Sequence, residues 1–150
     1  MIRLSRLLPF VAAALAGGCG TVDAGPDFQF AEVVYDQNYF YCTVQPMLAA
    51  QSCGPGAAGD SGGCHEQVTR FRVLPLAAPI PCSGNVPTGL IPAEAQSNYE
   101  SASAEMTPDP DRAPLFNRPT RRAAHPRQIF APDSKEAKII RDWATKYTSQ

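Results

Sequence analysis

The stretch Val44–Cys53 has the sequence VQPMLAAQSC, and after the glycine-rich interval Gly54–Gly63 comes the segment Cys64–Glu66, with the sequence CHE. The first stretch predicts the end of a helix that is closed by a cysteine. A second cysteine follows with a histidine directly after it. We take this arrangement as the feature around which the rest of the chain is organised.

Two cysteines followed at once by a histidine are the order of residues that attaches a c-type haem. In that interpretation Cys53 and Cys64 become thioethers and His65 ligates the iron. The common motif has two residues between the cysteines, whereas ten residues separate them here. From these residues alone, a disulfide between Cys53 and Cys64 beside an incidental histidine is an equal alternative.

Four sequence blocks later in the chain bear on this choice. They are Asn98–Ala102 (NYESA), Pro114–Pro119 (PLFNRP), His125 with Gln128–Phe130 (QIF), and Ile139–Trp143 (IIRDW). Together with the V-x-P-[ILM]-[LF] form of the first stretch and its cysteines, they resemble, in the same order, class I cytochrome c-like lipoproteins of deltaproteobacteria. The resemblance covers most of the chain that follows the export signal.

This resemblance implies a mainly α, small cytochrome c-like domain over residues 28–150, with about three helices and long Pro/Gly-rich loops. It implies haem c as the cofactor, with His65 as the proximal ligand and a distal ligand from the loop before the last helix. His125 lies in that loop, and Met106 is the alternative distal ligand.

The remaining cysteines follow from the same interpretation. Export to an oxidising compartment permits disulfides, and four cysteines allow three pairings. If Cys53 and Cys64 carry haem, Cys42 and Cys82 are left to form the disulfide.

Residues 1–18 have the pattern of an export signal, because Arg3 and Arg6 precede a short apolar run that small residues follow. The run is shorter than the roughly 20 apolar residues that span a bilayer. Ala16–Cys19 (AGGC) resembles the lipobox of bacterial lipoproteins, which makes Cys19 the predicted lipidation site and residues 19–27 a lipidated tether. The alternative is an export signal that happens to end in a cysteine. By the resemblance, Gly20 after Cys19 favours an outer-membrane lipoprotein that faces the periplasm or the cell surface.

The periodicity of apolar residues predicts the remaining elements. We expect a helix over about 31–51 with a break at Pro46, a short extended run at Phe71–Leu76, and an amphipathic helix from Pro92 to about residue 106. The last helix is predicted to begin at a capping box, Asp133–Glu136. Its buried stripe is predicted to be Ile139, Ile140, Trp143 and Tyr147, with Trp143 against the aromatic residues of the first helix.

Other chemistry is less well supported by the sequence. Cys53, Cys64, His65 and His125 are the right residue types for zinc, but their spacing is not that of a zinc finger. The sequence shows no nucleophile with a positioned base beside it, so it does not indicate a hydrolase. A basic loop carries Arg118, Arg121, Arg122 and Arg127, which is either a solvated cluster or a source of partners for haem propionates or an acidic protein.

Two functions therefore remain. The first is a membrane-anchored electron-transfer protein with one covalent haem, which is not an enzyme and whose partner is a redox protein. The second is a haem-free, disulfide-stapled structural or assembly subunit of an envelope complex. The net charge of −1 gives no case for a nucleic-acid partner.

Overall fold

The computed structural model describes residues 32–54, 65 and 70–149. The predicted signal peptide and tether lie outside these residues, as do Cys19, Cys64 and the glycine-rich interval after Gly54. Across the described ranges, no helix is both long enough and apolar enough to span a bilayer.

The described residues form a small, largely helical domain with four helical stretches and a few short strands. The first stretch combines α1 (Gln37–Tyr39), a π-helical segment (Phe40–Val44) and α2 (Gln45–Ala50). The others are α3 (Ala93–Ser103), the short α4 (Pro114–Asn117) and α5 (Lys135–Ala144), with one 3₁₀ turn at Pro110–Arg112. The prediction of a small, mainly α domain is thus confirmed at this coarse level.

The first helical stretch differs from its prediction at both its start and its middle. It begins at Gln37 rather than at residue 31, because the Asp36 carboxylate caps it by accepting a hydrogen bond from the Tyr39 N–H at 3.0 Å. Nor does it break at Pro46. The turn before Pro46 is a wider, π-helical turn in which the Gln45 N–H bonds to the Phe40 carbonyl. Such a turn lets the helix continue past Pro46, which has no N–H to donate.

Four short strands pair in two antiparallel ribbons. Strand β1 (Val33–Tyr35) pairs with β4 (Tyr147–Ser149). Strand β2 (Cys82–Ser83) pairs with β3 (Val86–Pro87), and the turn between them uses Gly84 at φ 61°. The first ribbon joins the two ends of the described chain, a pairing that the sequence pattern did not predict.

The run Phe71–Leu76 is not a strand. Its backbone is extended, but the N–H and carbonyl of Leu74 bond to the Asn98 side chain, at 2.5 and 3.0 Å, instead of to a neighbouring strand. An amide side chain offers one acceptor and two donors, so it replaces the edge of a sheet here.

The predictions for the last two long helices are confirmed in part. Helix α3 begins after Pro92, as expected, and ends at Ser103 rather than at residue 106. The N-cap of helix α5 is Ser134 and not Asp133, the first residue of the predicted capping box. The Ser134 hydroxyl accepts a hydrogen bond from the Ala137 N–H at 3.2 Å. Helix α5 ends at Ala144, so Tyr147 lies in β4 and is 43% exposed rather than part of a buried stripe.

Aromatic side chains form the centre of the core. Trp143 is fully buried, and its ring centre lies 5.2 Å from that of Phe40 and 5.3 Å from that of Tyr35. Tyr99 of α3 joins them and donates a hydrogen bond to the Tyr35 carbonyl at 2.7 Å. The predicted packing of Trp143 against the first helix is therefore confirmed.

A disulfide joins Cys42, in the π-helical segment, to Cys82 of β2. Its Cα atoms are 5.9 Å apart and its sequence separation is 40 residues. By the chain-entropy argument a loop of this size is worth about 4 kcal/mol of stability. The same pairing is expected whether Cys53 and Cys64 carry haem or bond each other, so it does not choose between the two.

Candidate functional site

An apolar cavity lies where the C-terminal end of α2 meets α4 and the loop that precedes α5. Its walls include Leu48, Cys53, Phe71, Leu115 and Ile129. The volume of the cavity is about 40 Å³, which is room for a water molecule or two. Polar groups reach this cavity only at a few points, and these are the residues of chemical interest.

Two histidines from distant parts of the chain meet at the edge of this cavity. His65 and His125 have ring centres 6.2 Å apart and ring planes inclined by only 22°. All of α3 and α4 lies between them in sequence. The fold thus brings together the two histidines that the sequence singled out as ligands.

Each histidine ring is held by a backbone carbonyl. Nδ1 of His65 lies 3.1 Å from the Phe71 oxygen, and Nδ1 of His125 lies 2.5 Å from the Arg127 oxygen. Because a carbonyl only accepts, each Nδ1 carries the proton and donates it. Each Nε2 then has an available lone pair, and no described residue forms a hydrogen bond with either one. This is the arrangement in which histidine ligates a metal.

The surroundings keep His65 neutral. Burial is the largest cause that lowers the pKa of His65 below its usual value, and the nearby His125 and Arg118 lower it further. The hydrogen bond to Phe71 and the charge of Glu105 act in the opposite direction, but they are outweighed. A neutral imidazole is the form that binds a metal.

A wider groove shares the histidine pair with this cavity. Its lining includes both histidines, Arg118, Arg127 and the small side chains of Ala123 and Ala124. The groove has a volume of about 560 Å³, within the usual range of ligand sites. Backbone bonds from Ala123 to Asn117 and from Ile129 to Pro119 hold the loop that forms it.

Comparison with protein-family models, with curated proteins and with solved structures finds no match to this chain.

The other predicted site residues fall in different places. Cys53 is buried and lies in the cavity wall, whereas Cys64 is outside the described residues. Met106 is buried too, but it is not among the residues that line the cavity or the groove. Within the described part of the chain, no group of three or more His, Cys, Asp or Glu side chains has metal-site geometry, so the zinc alternative gains nothing there.

The basic loop is less free than its sequence suggests. Arg122 pairs with Asp111 at 2.7 Å and lies over the Phe116 ring. Arg118 and Arg127, by contrast, line both the cavity and the groove. Two of the four arginines are thus positioned to meet a bound anion.

Sequence reasoning missed one residue of the site, Glu105. Its side chain lines the cavity and is 2% exposed, although it follows a helix whose other glutamates face solvent. A glutamate at the end of an amphipathic helix is ordinarily solvated, so no sequence signal marks this one.

Proposed function

We propose that this domain binds one c-type haem, with His65 and His125 as the two axial ligands, and that it carries electrons. The observation that supports this most directly is the close approach of two nearly parallel imidazole rings. Two imidazoles that ligate one metal ion have ring centres only a few ångströms apart, because each metal–nitrogen bond is about 2 Å long. The observed separation is 6.2 Å.

The hydrogen bonds of the histidines support the same proposal. Both rings are anchored through Nδ1, which fixes the tautomer and the direction of each ring before a metal arrives. His65 is also kept neutral by its burial. Two rings that are oriented through Nδ1 and leave Nε2 available suit metal ligation.

The remaining contacts supply attachment and charge balance. Cys53, in the cavity wall, and Cys64, next to His65 in sequence, would hold the haem through thioethers. Arg118 and Arg127 would pair with its propionates, for which a guanidinium is well suited. When bound, the haem iron supplies reversible one-electron transfer.

The choice of His125 over Met106 has a functional consequence. A methionine ligand raises the reduction potential of a haem, so a pair of histidines gives a lower one. His125 lines the same groove as His65, and Met106 does not. The proposed protein is therefore a low-potential electron carrier, held at the outer membrane through lipidated Cys19 and serving a redox protein in the envelope.

One observation favours a second candidate function. The cavity, at about 40 Å³, is far too small for a porphyrin by itself. A haem-free, disulfide-stapled subunit of an envelope complex would need no larger cavity. In that case Cys53 and Cys64 would bond each other.

Expression in a bacterial host that has haem-attachment machinery separates the two candidates. We expect the purified chain to gain the mass of one haem and to absorb in the Soret band. The matched variant Cys53→Ala/Cys64→Ala should lose the covalent mass, while Cys42→Ala/Cys82→Ala should keep it. Wild-type protein with no added mass, and with Cys53 joined to Cys64 in peptide mapping, would establish the haem-free subunit instead.

A further inference from the structure

Glu105 occupies an unfavourable position for a carboxylate. It lies just beyond the C-terminal end of α3, and its side chain is 2% exposed. Burial of a carboxylate is costly, and the partial negative charge at a helix C-terminus adds to that cost. Among the described residues, neither carboxylate oxygen accepts a hydrogen bond of good geometry.

Two arginines compensate this charge, one near each carboxylate oxygen. Arg70 Nε lies 2.7 Å from Oε1, and an Arg118 guanidinium nitrogen lies 3.6 Å from Oε2. Arg70 is 76% exposed and lines neither the cavity nor the groove. Arg118 lines both. The three side chains therefore connect the protein surface to the histidine pair.

We propose that Glu105 is a positioning residue that sets the electrostatic potential at the histidine pair. It holds Arg118 beside the two histidines and supplies a buried negative charge to the cavity. This inference rests on the proposed haem site. The buried charge favours the oxidised state of the bound iron, which is the more positive one, and so lowers its reduction potential.

The direction of each charge effect follows from burial. A charge in the protein interior is screened little by solvent and salt, whereas an exposed charge is screened strongly. Loss of the Glu105 charge therefore raises the potential. Loss of the Arg70 charge leaves the buried Glu105 less compensated and lowers the potential, by less than Glu105→Gln raises it, because Arg70 is 76% exposed and its charge is partly screened.

The test is a redox titration of the haem-loaded full chain, in which the visible spectrum reports the fraction of reduced haem. We expect Glu105→Gln to raise the reduction potential and Arg70→Gln to lower it. Glu100→Gln removes the same charge from an exposed position on α3 and is the matched control, with no more than a small shift. The Glu105→Gln shift should persist in high salt, because the site is buried.

Several outcomes would overturn the inference. Haem-loaded Glu105→Gln with the same potential as Glu100→Gln is one of them. A lowered urea midpoint in Glu105→Gln together with an unchanged potential would make Glu105 only structural. If Glu105→Gln does not retain haem, Arg70→Gln decides, and the absence of a downward shift there refutes the inference. Wild-type protein that carries no haem would instead refute the proposed function itself.

Discussion

Trp143 donates a hydrogen bond from its indole Nε1 to the backbone carbonyl of Asp36, 2.9 Å away and 107 residues earlier in the chain. The N–H of Asp36 in turn donates to the carbonyl of Lys146 at 2.7 Å. Asp36 also caps the first helical stretch. One short segment thus joins the first helix, the last helix and the β1–β4 ribbon, and it fixes the frame on which the histidine site is built.

The first prediction concerns this junction. Trp143→Phe removes the indole N–H that donates to the Asp36 carbonyl and leaves a small void at a fully buried position. The free energy of unfolding should therefore fall by about 2 kcal/mol. Urea denaturation followed by circular dichroism measures this. Leu90→Ser, at a position that is 97% exposed, is the control and should change stability by less than about 0.5 kcal/mol. Equal stability of the two variants would contradict the assigned role of Trp143.

Asn98 gives a second prediction. Asn98→Ala leaves the N–H and carbonyl of Leu74 without their partner, so we expect a loss of about 2–4 kcal/mol. Hydrogen exchange at the Leu74 amide should accelerate as the segment loosens. Gln96→Ala, on the exposed face of the same helix, should leave both quantities near wild type. Unchanged exchange at Leu74 in Asn98→Ala would argue against this side chain as the substitute for a sheet edge.

The buried tyrosines make stability depend on alkaline pH. Burial is the main cause that raises the pKa of Tyr35 to about 12, and it also raises the pKa of Tyr39, Tyr41 and Tyr99. Because the folded-state pKa lies above the unfolded value, the stabilisation is fully present below about pH 10 and is lost as the pH rises toward about 12. We expect the urea midpoint to be constant up to about pH 9 and then to fall. Tyr35→Phe should make that fall shallower, and a flat profile through about pH 11 would contradict the burial of these phenols.

The parts of the fold that followed from sequence depend on local signals. The aromatic first helix, the start of α3 after Pro92, and the burial of Trp143 each have a periodic or capping pattern within a few residues. The parts that did not follow depend on long-range contacts. The β1–β4 ribbon joins two three-residue strands from opposite ends of the described chain, and three residues carry too little alternation to predict a strand.

The site divides in the same way. The cysteine before His65 predicts it as a ligand, whereas His125 is implied as one by the resemblance, from its place before the last helix. That their rings approach to 6.2 Å is a tertiary fact that neither local pattern contains. Glu105 had no local signal at all, because its burial arises from the packing of α4 and its arginine partners around it.

A further prediction concerns the membrane anchor, which lies outside the described residues. Cys19→Ser should abolish lipidation and shift the protein from the detergent phase to the aqueous phase, since no described helix offers another way to span the bilayer. Cys53→Ser is the matched control and should remain in the detergent phase. Partitioning of Cys19→Ser that equals wild type would show that Cys19 is not the anchor.

The central claim is that His65 and His125 ligate one iron between them, and the spin state of the haem-loaded full chain tests it most directly. We expect a low-spin spectrum for the wild type and for Met106→Leu, which keeps the volume of a buried side chain. His125→Ala should give a high-spin spectrum, because one axial ligand is lost. A low-spin His125→Ala with a high-spin Met106→Leu would contradict the account and make methionine the distal ligand.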